Sequence, residues 1–497
     1  MLDRFMSGEN RQFESFWQQV ERLAADPPGL ALVELARDGS RHEFGFSDVV
    51  LRSGAFSGAL ARAGVGRDDV VLTLVGNRPE WVFAMLACWR IGAVVLPCNE
   101  MLRAKDIAHR VDEAKPRAIV CDERNLAQLQ ESGWSGETLV VPDDSLFHGE
   151  PAPAAEISST DPALMIFTSG TSGTAKAVVH THGCLPGQQL QAEHWFGARP
   201  GELAWCTAAS GWSKSARNVF LTPWLCGATA LLHDKRFDPA QRMEIVERER
   251  VNVLCMAPTE YRVIARRHAL RPIATLRQCV SAGEALNAEI LNNWRDGVGV
   301  EIRDGYGQTE TGAVTAVRPG GEVKPGSMGP PLPGVVVRIV DGELEVDPTT
   351  VPTFFSGYGR PGQTQLPQLV DGWWRTGDLV SQDGDGYLWF ESRNDDIILS
   401  AGYRIGPFEV ESALVSHEAV AEAAAVAAPD DERGSVVRAV IVLKDGYVGD
   451  AQLVSELQAH VKAVTAPYKY PRIVEFVDAL PKTASGKVRR ALLRGEQ

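Results

Sequence analysis

The chain has no hydrophobic run that reads as a membrane span. The nearest candidate, Trp81 to Cys98, carries Arg90 at its centre and is broken by Gly92. A central arginine costs about 2.5 to 3.5 kcal/mol in a bilayer, so the segment reads as a buried helix followed by a buried strand. Cysteine is sparse: eight residues scattered singly, with no Cys-x-x-Cys pair. That argues against a disulfide framework and the usual zinc spacings and leaves reduced, mostly buried thiols as the expectation. Basic charge is also short, 50 Lys and Arg against 64 Asp and Glu, for a net charge of -14 at pH 7. A field of that sign repels polyanions, which argues against nucleic acid or an anionic membrane as the main partner. Any anionic ligand must then be held locally, by placed loops and a few basic side chains. The opening residues bring in Asp3 and Arg4 and no apolar core before a small-residue cleavage site, so they do not read as a secretion signal, and a cytoplasmic protein is expected. Internal repeats and low-complexity tracts are missing as well.

What is present is ordinary soluble composition, 44% hydrophobic and 23% charged over 497 residues, enough for two or more domains with large cores. From Gly45 onward a helical stretch, Phe46 to Arg62, alternates with short apolar runs at Val70-Val75, Gly92-Pro97, Arg117-Cys121, Thr138-Val141 and Ala163-Phe167. Further strand-like runs follow at Gly227-Leu232, Val251-Met256, Gln278-Ser281 and Val298-Ile302. This is the layering of an α/β domain. Glycines and prolines between Gly321 and Pro333 mark a turn into a β-rich subdomain. After Trp389 to Asp396 the remainder suits one small α+β domain, with helices at Pro407-Val415 and Asp450-Val464 and strands at Val420-Val426, Val436-Lys444 and Arg472-Val477. The expected division is 1–394 and 395–497, with the boundary at Asp395.

Five segments carry chemistry. Thr168-Ser-Gly-Thr-Ser-Gly-Thr-Ala-Lys176 follows a strand, where open α/β sheets bind ligands. Its glycines let backbone N–H groups converge on an anion, and Lys176 supplies a point charge. On composition alone it would pass for a flexible surface loop, and it is not a Walker loop, because Ala177 follows the lysine. Asp304-Gly-Tyr-Gly-Gln-Thr-Glu310 offers a flat aromatic, a hydroxyl and a carboxylate able to hold magnesium, and alone could be a turn. In Trp374-Arg-Thr-Gly-Asp378 the carboxylate could accept two ribose hydroxyls or simply form the turn. Ser400 to Glu409 and Pro481-Lys-Thr-Ala-Ser-Gly-Lys487 complete the set.

Taken in order, these segments resemble the adenylate-forming superfamily of acyl-CoA synthetases, adenylation domains and luciferases, from about Phe46 to Arg490. Gly211-Trp-Ser-Lys-Ser215, Pro223-Trp-Leu-Cys-Gly227, Ser281-Ala-Gly-Glu284 and Tyr468-Lys-Tyr-Pro471 look most like the medium-chain acyl-CoA synthetase group. The resemblance implies a large N-terminal domain, a small rotating C-terminal domain, and ATP, Mg2+ and coenzyme A as cosubstrates. It implies that Thr168, Ser169, Gly170, Thr171, Ser172, Gly173, Thr174 and Lys176 grip the β and γ phosphates. Thr309 would meet the α-phosphate, Glu310 would place magnesium, and Asp378 would take the ribose with Arg393 nearby. Gly283, Glu284 and Tyr306 would frame the adenine, with Asp304 and Gln308 in the same nucleotide site. Lys487 would serve adenylation and leave when the small domain turns on Asp395. Gly402, Tyr403, Arg404 and Tyr470 would then line the CoA path.

The acid itself is expected to be apolar, medium-chain fatty or aromatic, against Trp212, Lys214, Gly283 and Gly307. Lys214 reads equally as a lysine that never touches substrate. Two departures stand out: Ala175-Lys176-Ala177 replaces the family's Pro-Lys-Gly, and Val340 to Thr364 looks shortened and irregular. The alternatives are an enzyme that only makes the thioester from a preformed acyl-adenylate, or one that passes the acyl group to a carrier protein. Oligomeric state is left open.

Overall fold

A computed structural model describes residues 13–25, 29–169, 175–283, 288–394, 396–400, 403–430, 433–482 and 488–495, with the backbone alone at Ser169 and Arg404. Two large sheets dominate the first two thirds. The seven-stranded sheet runs Gly357–Tyr358, Ala175–Thr181, Pro162–Ser169, Val94–Cys98, Val70–Leu74, Ala118–Asp122, Glu137–Val141. Its central strands are buried on both faces, which is why they read as unbroken apolar runs rather than alternating ones. The eight-stranded sheet runs Gly312–Ala316, Ile302–Gln308, Gln278–Ala282, Val253–Met256, Leu203–Cys206, Thr229–His233, Leu30–Leu35, Arg41–Gly45. Both are parallel within and carry an antiparallel hairpin on an edge, Pro162–Ser169 with Ala175–Thr181 in one and Ile302–Gln308 with Gly312–Ala316 in the other.

Between the sheets lies an aromatic core. Phe16 of the helix Phe16–Ala25 packs edge-on against Trp89 at 5.8 Å and stacks on Trp224 at 6.4 Å. The suspected membrane segment is the helix Pro79–Ile91 and the strand Val94–Cys98, turned at Gly92, whose φ of 73° suits a residue without a Cβ. Arg90 lies over the Trp17 ring at 5.0 Å and donates to the Ala152 carbonyl at 3.2 Å. No described helix is long and apolar enough to cross a membrane. All eight cysteines are free, and seven are buried.

One expectation about these elements is corrected. The run Val298-Ile302 is not one strand: Ile290, Leu291, Trp294 and Val298 share the buried face of the helix Ala288–Val298. Gly299, at φ 83°, ends it, and the strand begins at Ile302. The stretch from Val340 to Thr364 is mostly without regular structure, with a single 3-10 turn at Pro348–Thr350 and short strands on either side of it. Val337–Val340 and Glu343–Val346 pair in a four-stranded sheet with Trp374–Gln382 and Leu388–Arg393, and Gly357–Tyr358 joins the edge of the seven-stranded sheet.

The C-terminal part has its own core, in which Val410, Leu414, Ala425, Ile441 and Leu457 are buried. The helices Pro407–Val415 and Ala451–Val464 flank the strands Val420–Asp430, Gly434–Leu443 and Ile473–Phe476. It touches the rest through Phe408 against Phe390 at 6.5 Å and through Arg266, which donates to the Ala421 carbonyl at 2.8 Å.

Candidate active site

The two edge hairpins present the two phosphate-type motifs, and the segment from Thr353 to Gly359 fastens them together. Thr353 Oγ1 donates to the Thr311 carbonyl at 2.5 Å and the Phe355 N–H to the Glu310 carbonyl at 2.8 Å. On the other side, the Ser356 N–H donates to Val179 and the Gly359 N–H to Ala177, both at 2.9 Å. Tyr358 sits between the motifs: its hydroxyl donates to Glu310 Oε1 at 2.9 Å, and Lys176 Nζ lies 5.7 Å from its ring centre. Burial and the Glu310 carboxylate push the Tyr358 phenol well up, so it remains a donor.

Lys176 stands on a strand rather than in the loop. Thr168 pairs with Lys176 and Ser169 with Ala175, so the two alanines that replace proline and glycine continue an antiparallel ladder. A proline at 175 would remove a backbone donor there. Gly170, Thr171, Ser172, Gly173, Thr174, Glu284, Asp395, Gly402 and Lys487 lie outside the described residues.

Asp378, 4% exposed, is the most heavily bonded carboxylate of the site. Oδ2 accepts the Tyr306 hydroxyl and Gln308 Nε2, the latter at 2.8 Å, while Oδ1 accepts Arg393 Nη1 at 2.9 Å. Gln308 also donates to the Thr376 carbonyl at 2.7 Å and accepts Trp374 Nε1 at 3.1 Å. Burial and the Asp378 charge hold the Tyr306 phenol well above its ordinary value, which keeps its proton in place for this bond. Asp304 is buried beneath, with Oδ1 accepting the Gly305 N–H at 3.0 Å. Tyr306, Gln308, Asp378 and Arg393 are therefore brought together, and the Tyr306 hydroxyl has a specific partner the sequence did not reveal.

Sequence reasoning also missed Arg217. It is 6% exposed and donates to the backbone carbonyls of Gln308 at 3.3 Å and Thr309 at 2.7 Å. Its Nη2 also donates to His180 Nε2 at 3.2 Å. A guanidinium only donates, so His180 Nε2 must be the acceptor and the imidazole neutral; burial and the Arg217 charge hold its pKa well below the ordinary value. Burial lowers the Arg217 pKa as well, against which the fields of Cys184 and Glu310 work. Among the described residues no carboxylate pairs with Arg217, and its Nε has no partner. The available signal was spacing: Lys214 and Arg217 stand three apart on the helix Ser213–Asn218, hence on one face.

Lys214 is pinned at the sheet's carboxyl edge, donating to the carbonyls of Met256 at 2.8 Å and Ala282 at 3.3 Å. Trp212, at the start of the same helix, is half-buried. Gly283 has φ 103°, and among the described residues nothing stands within 4 Å of where a Cβ would lie. At Gly307 a Cβ would lie 1.8 Å from the Gly312 carbonyl oxygen, so the hairpin closes only over glycine. In the C-terminal part Tyr403 stacks on Tyr468 at 4.3 Å, and Tyr470 faces Lys462 at 3.9 Å and Arg472 at 4.9 Å.

No group of three or more metal-ligating side chains occurs among the described residues. Glu310 offers one carboxylate, with Oε1 holding Tyr358. Magnesium is commonly held by one or two carboxylates together with substrate phosphates, so this donor set fits a magnesium that arrives with its nucleotide.

Comparison with known proteins agrees with this geometry. Residues 20–357 match the AMP-binding enzyme family, and residues 409–487 its C-terminal domain. An uncharacterized acyl-CoA ligase, YtcI of Bacillus subtilis, is 38% identical across 96% of this chain and 94% of its own. Human mitochondrial acyl-coenzyme A synthetase ACSM3 is 35% identical across 97% of this chain and 88% of its own. The crystal structure of the anthranilate CoA ligase AuaEII with anthranoyl-AMP superposes with a TM-score of 0.88, at 27% identity, over 98% of this chain and 97% of that one. The chain belongs to the AMP-binding, adenylate-forming enzyme family and is an acyl-CoA synthetase, a ligase that works through an acyl-adenylate.

Proposed function

We propose that the acid is medium-chain fatty or aromatic, with an apolar body, and that the roles fall on the residues as follows. One carboxylate oxygen of the acid attacks the α-phosphorus of ATP; the acyl-adenylate forms and pyrophosphate leaves. The thiol of CoA then attacks the acyl carbonyl, AMP leaves, and the thiol proton goes to solvent. The first step brings two anions together, so placed positive charge and donors govern its rate.

The Thr168–Lys176 hairpin grips pyrophosphate, and Thr309 steadies the α-phosphate on a backbone fixed from behind by Arg217. Glu310 would hold magnesium, which would neutralise phosphate charge when bound. Asp378 takes the ribose hydroxyls, its orientation fixed by Tyr306, Gln308 and Arg393. Gly283, Glu284 and Tyr306 frame the adenine, and Lys487 meets the α-phosphate during adenylation. The small domain turns on Asp395 between the steps, taking Lys487 away and bringing Gly402, Tyr403, Arg404 and Tyr470 to the CoA path.

One observation carries this reading. Lys176 lies over Tyr358, whose hydroxyl donates to Glu310, and two residues earlier in the same hairpin Gln308 donates to Asp378, so the groups for pyrophosphate, α-phosphate and ribose stand along one hairpin. The test is acid-dependent exchange of labelled pyrophosphate into ATP over a panel of fatty and aromatic acids, without CoA. Exchange should require an acid and fall at least a hundredfold in Lys487→Ala, while thioester formation from a synthetic acyl-adenylate survives. Silence with every acid, alongside thioester from the preformed adenylate, would reassign the protein to the second half-reaction alone.

A further inference from the structure

Lys214 stands at the carboxyl edge of the eight-stranded sheet. Its ammonium bridges Met256 and Ala282, the last residues of two neighbouring parallel strands, and open α/β sheets bind ligands beyond the carboxyl ends of their strands. Two of its three protons are spent on those carbonyls. Among the described residues the third has no acceptor and no carboxylate forms an ion pair with Lys214. Glu260, which shares the field at Cys255 with Lys214, is engaged elsewhere: Arg242 donates to Oε1 at 2.8 Å, and the Thr207 hydroxyl to Oε2. A half-buried cation held only by dipoles costs free energy that a ligand acceptor would offset.

Strand spacing sets the scale. Thr309 follows the strand Ile302–Gln308; Lys214 bridges the next two strands over. Neighbouring strands lie about 4.8 Å apart, so Lys214 stands roughly 5 to 10 Å across from the strand whose end would receive the reacting carboxyl. That gap is about one aromatic ring long, and among the described residues nothing stands within 4 Å of where a Cβ on Gly283, the residue after Ala282, would lie.

We infer that the physiological acid carries a hydrogen-bond-accepting group, a hydroxyl or a second carboxylate, about one ring's length from the carboxyl that is activated, and that Lys214 recognises it. This rests on the acyl-adenylate reading above and narrows it from an apolar acid to an acid with an apolar body and a polar far end.

The experiment compares 4-methylbenzoate, 4-hydroxybenzoate and terephthalate, with straight-chain acids of matching length with and without a terminal hydroxyl or carboxylate, as substrates for pyrophosphate exchange. Wild-type kcat/KM should favour an acceptor-bearing acid at least tenfold over its plain partner, and whether the hydroxyl or the carboxylate gains names the terminus. That ratio should fall to one or below in Lys214→Met and recover in part in Lys214→Arg. Lys214→Gln, which keeps a donor for the two carbonyls but no charge, stands in if the methionine variant fails to show the ATP-induced rise in melting temperature. A wild-type preference for plain acids in both series, or a preference for acceptors that survives loss of the lysine, overturns the inference. If no acid supports exchange while a synthetic acyl-adenylate still gives thioester, it is the adenylation reading that has failed, and this one falls with it.

Discussion

The Asp378 carboxylate receives Tyr306, Gln308 and Arg393, whereas Lys176 meets, among the described residues, only the ring face of Tyr358, and Lys214 only two carbonyls. In the reading proposed above, the two regions serve different parts of the reaction. A ribose is neutral, so the carboxylate proposed to bind it can be oriented in advance by the protein's own donors. Pyrophosphate and the acid bring negative charge, so the cations proposed to meet them keep protons unspent. Where binding must be reversible and the partner is anionic, the protein leaves the last interaction to the ligand.

Removing the wired group should have the largest effect. Asp378→Asn nearly preserves shape but turns an amide N–H₂ toward donors that now have too few acceptors, and it removes the charge that Arg393 Nη1 bonds at this corner. Pyrophosphate exchange should fall at least a hundredfold, mostly through KM for ATP. A loss confined to KM for the acid would mean that the corner does not hold the ribose.

Arg217 tests whether wiring behind the site matters as much as wiring within it. The guanidinium makes no ion pair among the described residues and fixes the carbonyls of Gln308 and Thr309. Arg217→Met strips donors from two carbonyls, at about 1 to 3 kcal/mol for each left unsatisfied, but also removes the cost of burying a charge. Stability should therefore change little while kcat for exchange drops ten- to a hundredfold, with KM for the acid nearly constant. Arg217→Lys should recover part of the rate. A melting temperature that falls in step with activity would reduce Arg217 to a packing residue.

Much of this was legible in the chain because the signals were local. Phe46–Arg62 and Pro407–Val415 are helices with the bounds their apolar spacing gave, and the fully apolar runs became parallel strands because both faces are covered. The motifs of Thr309, Glu310 and Asp378 were legible by likeness. What could not be read arises between distant segments. Arg217 pairs with Gln308 and Thr309 across some ninety positions, and Tyr358 with Glu310 across 48. The Val340–Thr364 stretch reads as irregular and mostly is, but its pairing was not legible, because its partners, Ala177 and Val179 on one side and Glu310 and Thr311 on the other, are chosen by the tertiary fold.

That fastening segment gives the smallest and most discriminating effect. Tyr358 touches both kinds of group: its hydroxyl orients the wired Glu310, and its ring lies beside the unspent Lys176. Tyr358→Phe removes the first contact and keeps the second. The Glu310 carboxylate loses one donor worth about 1.5 to 3 kcal/mol at most, discounted because solvent or magnesium can replace it. Exchange should fall two- to tenfold, and the magnesium concentration for half-maximal rate should rise, while KM for pyrophosphate in the reverse direction holds. If KM for pyrophosphate rises and the magnesium dependence does not move, the hydroxyl acts on Lys176 instead, and the division between groups fixed in advance and groups left to the ligand does not pass through Tyr358.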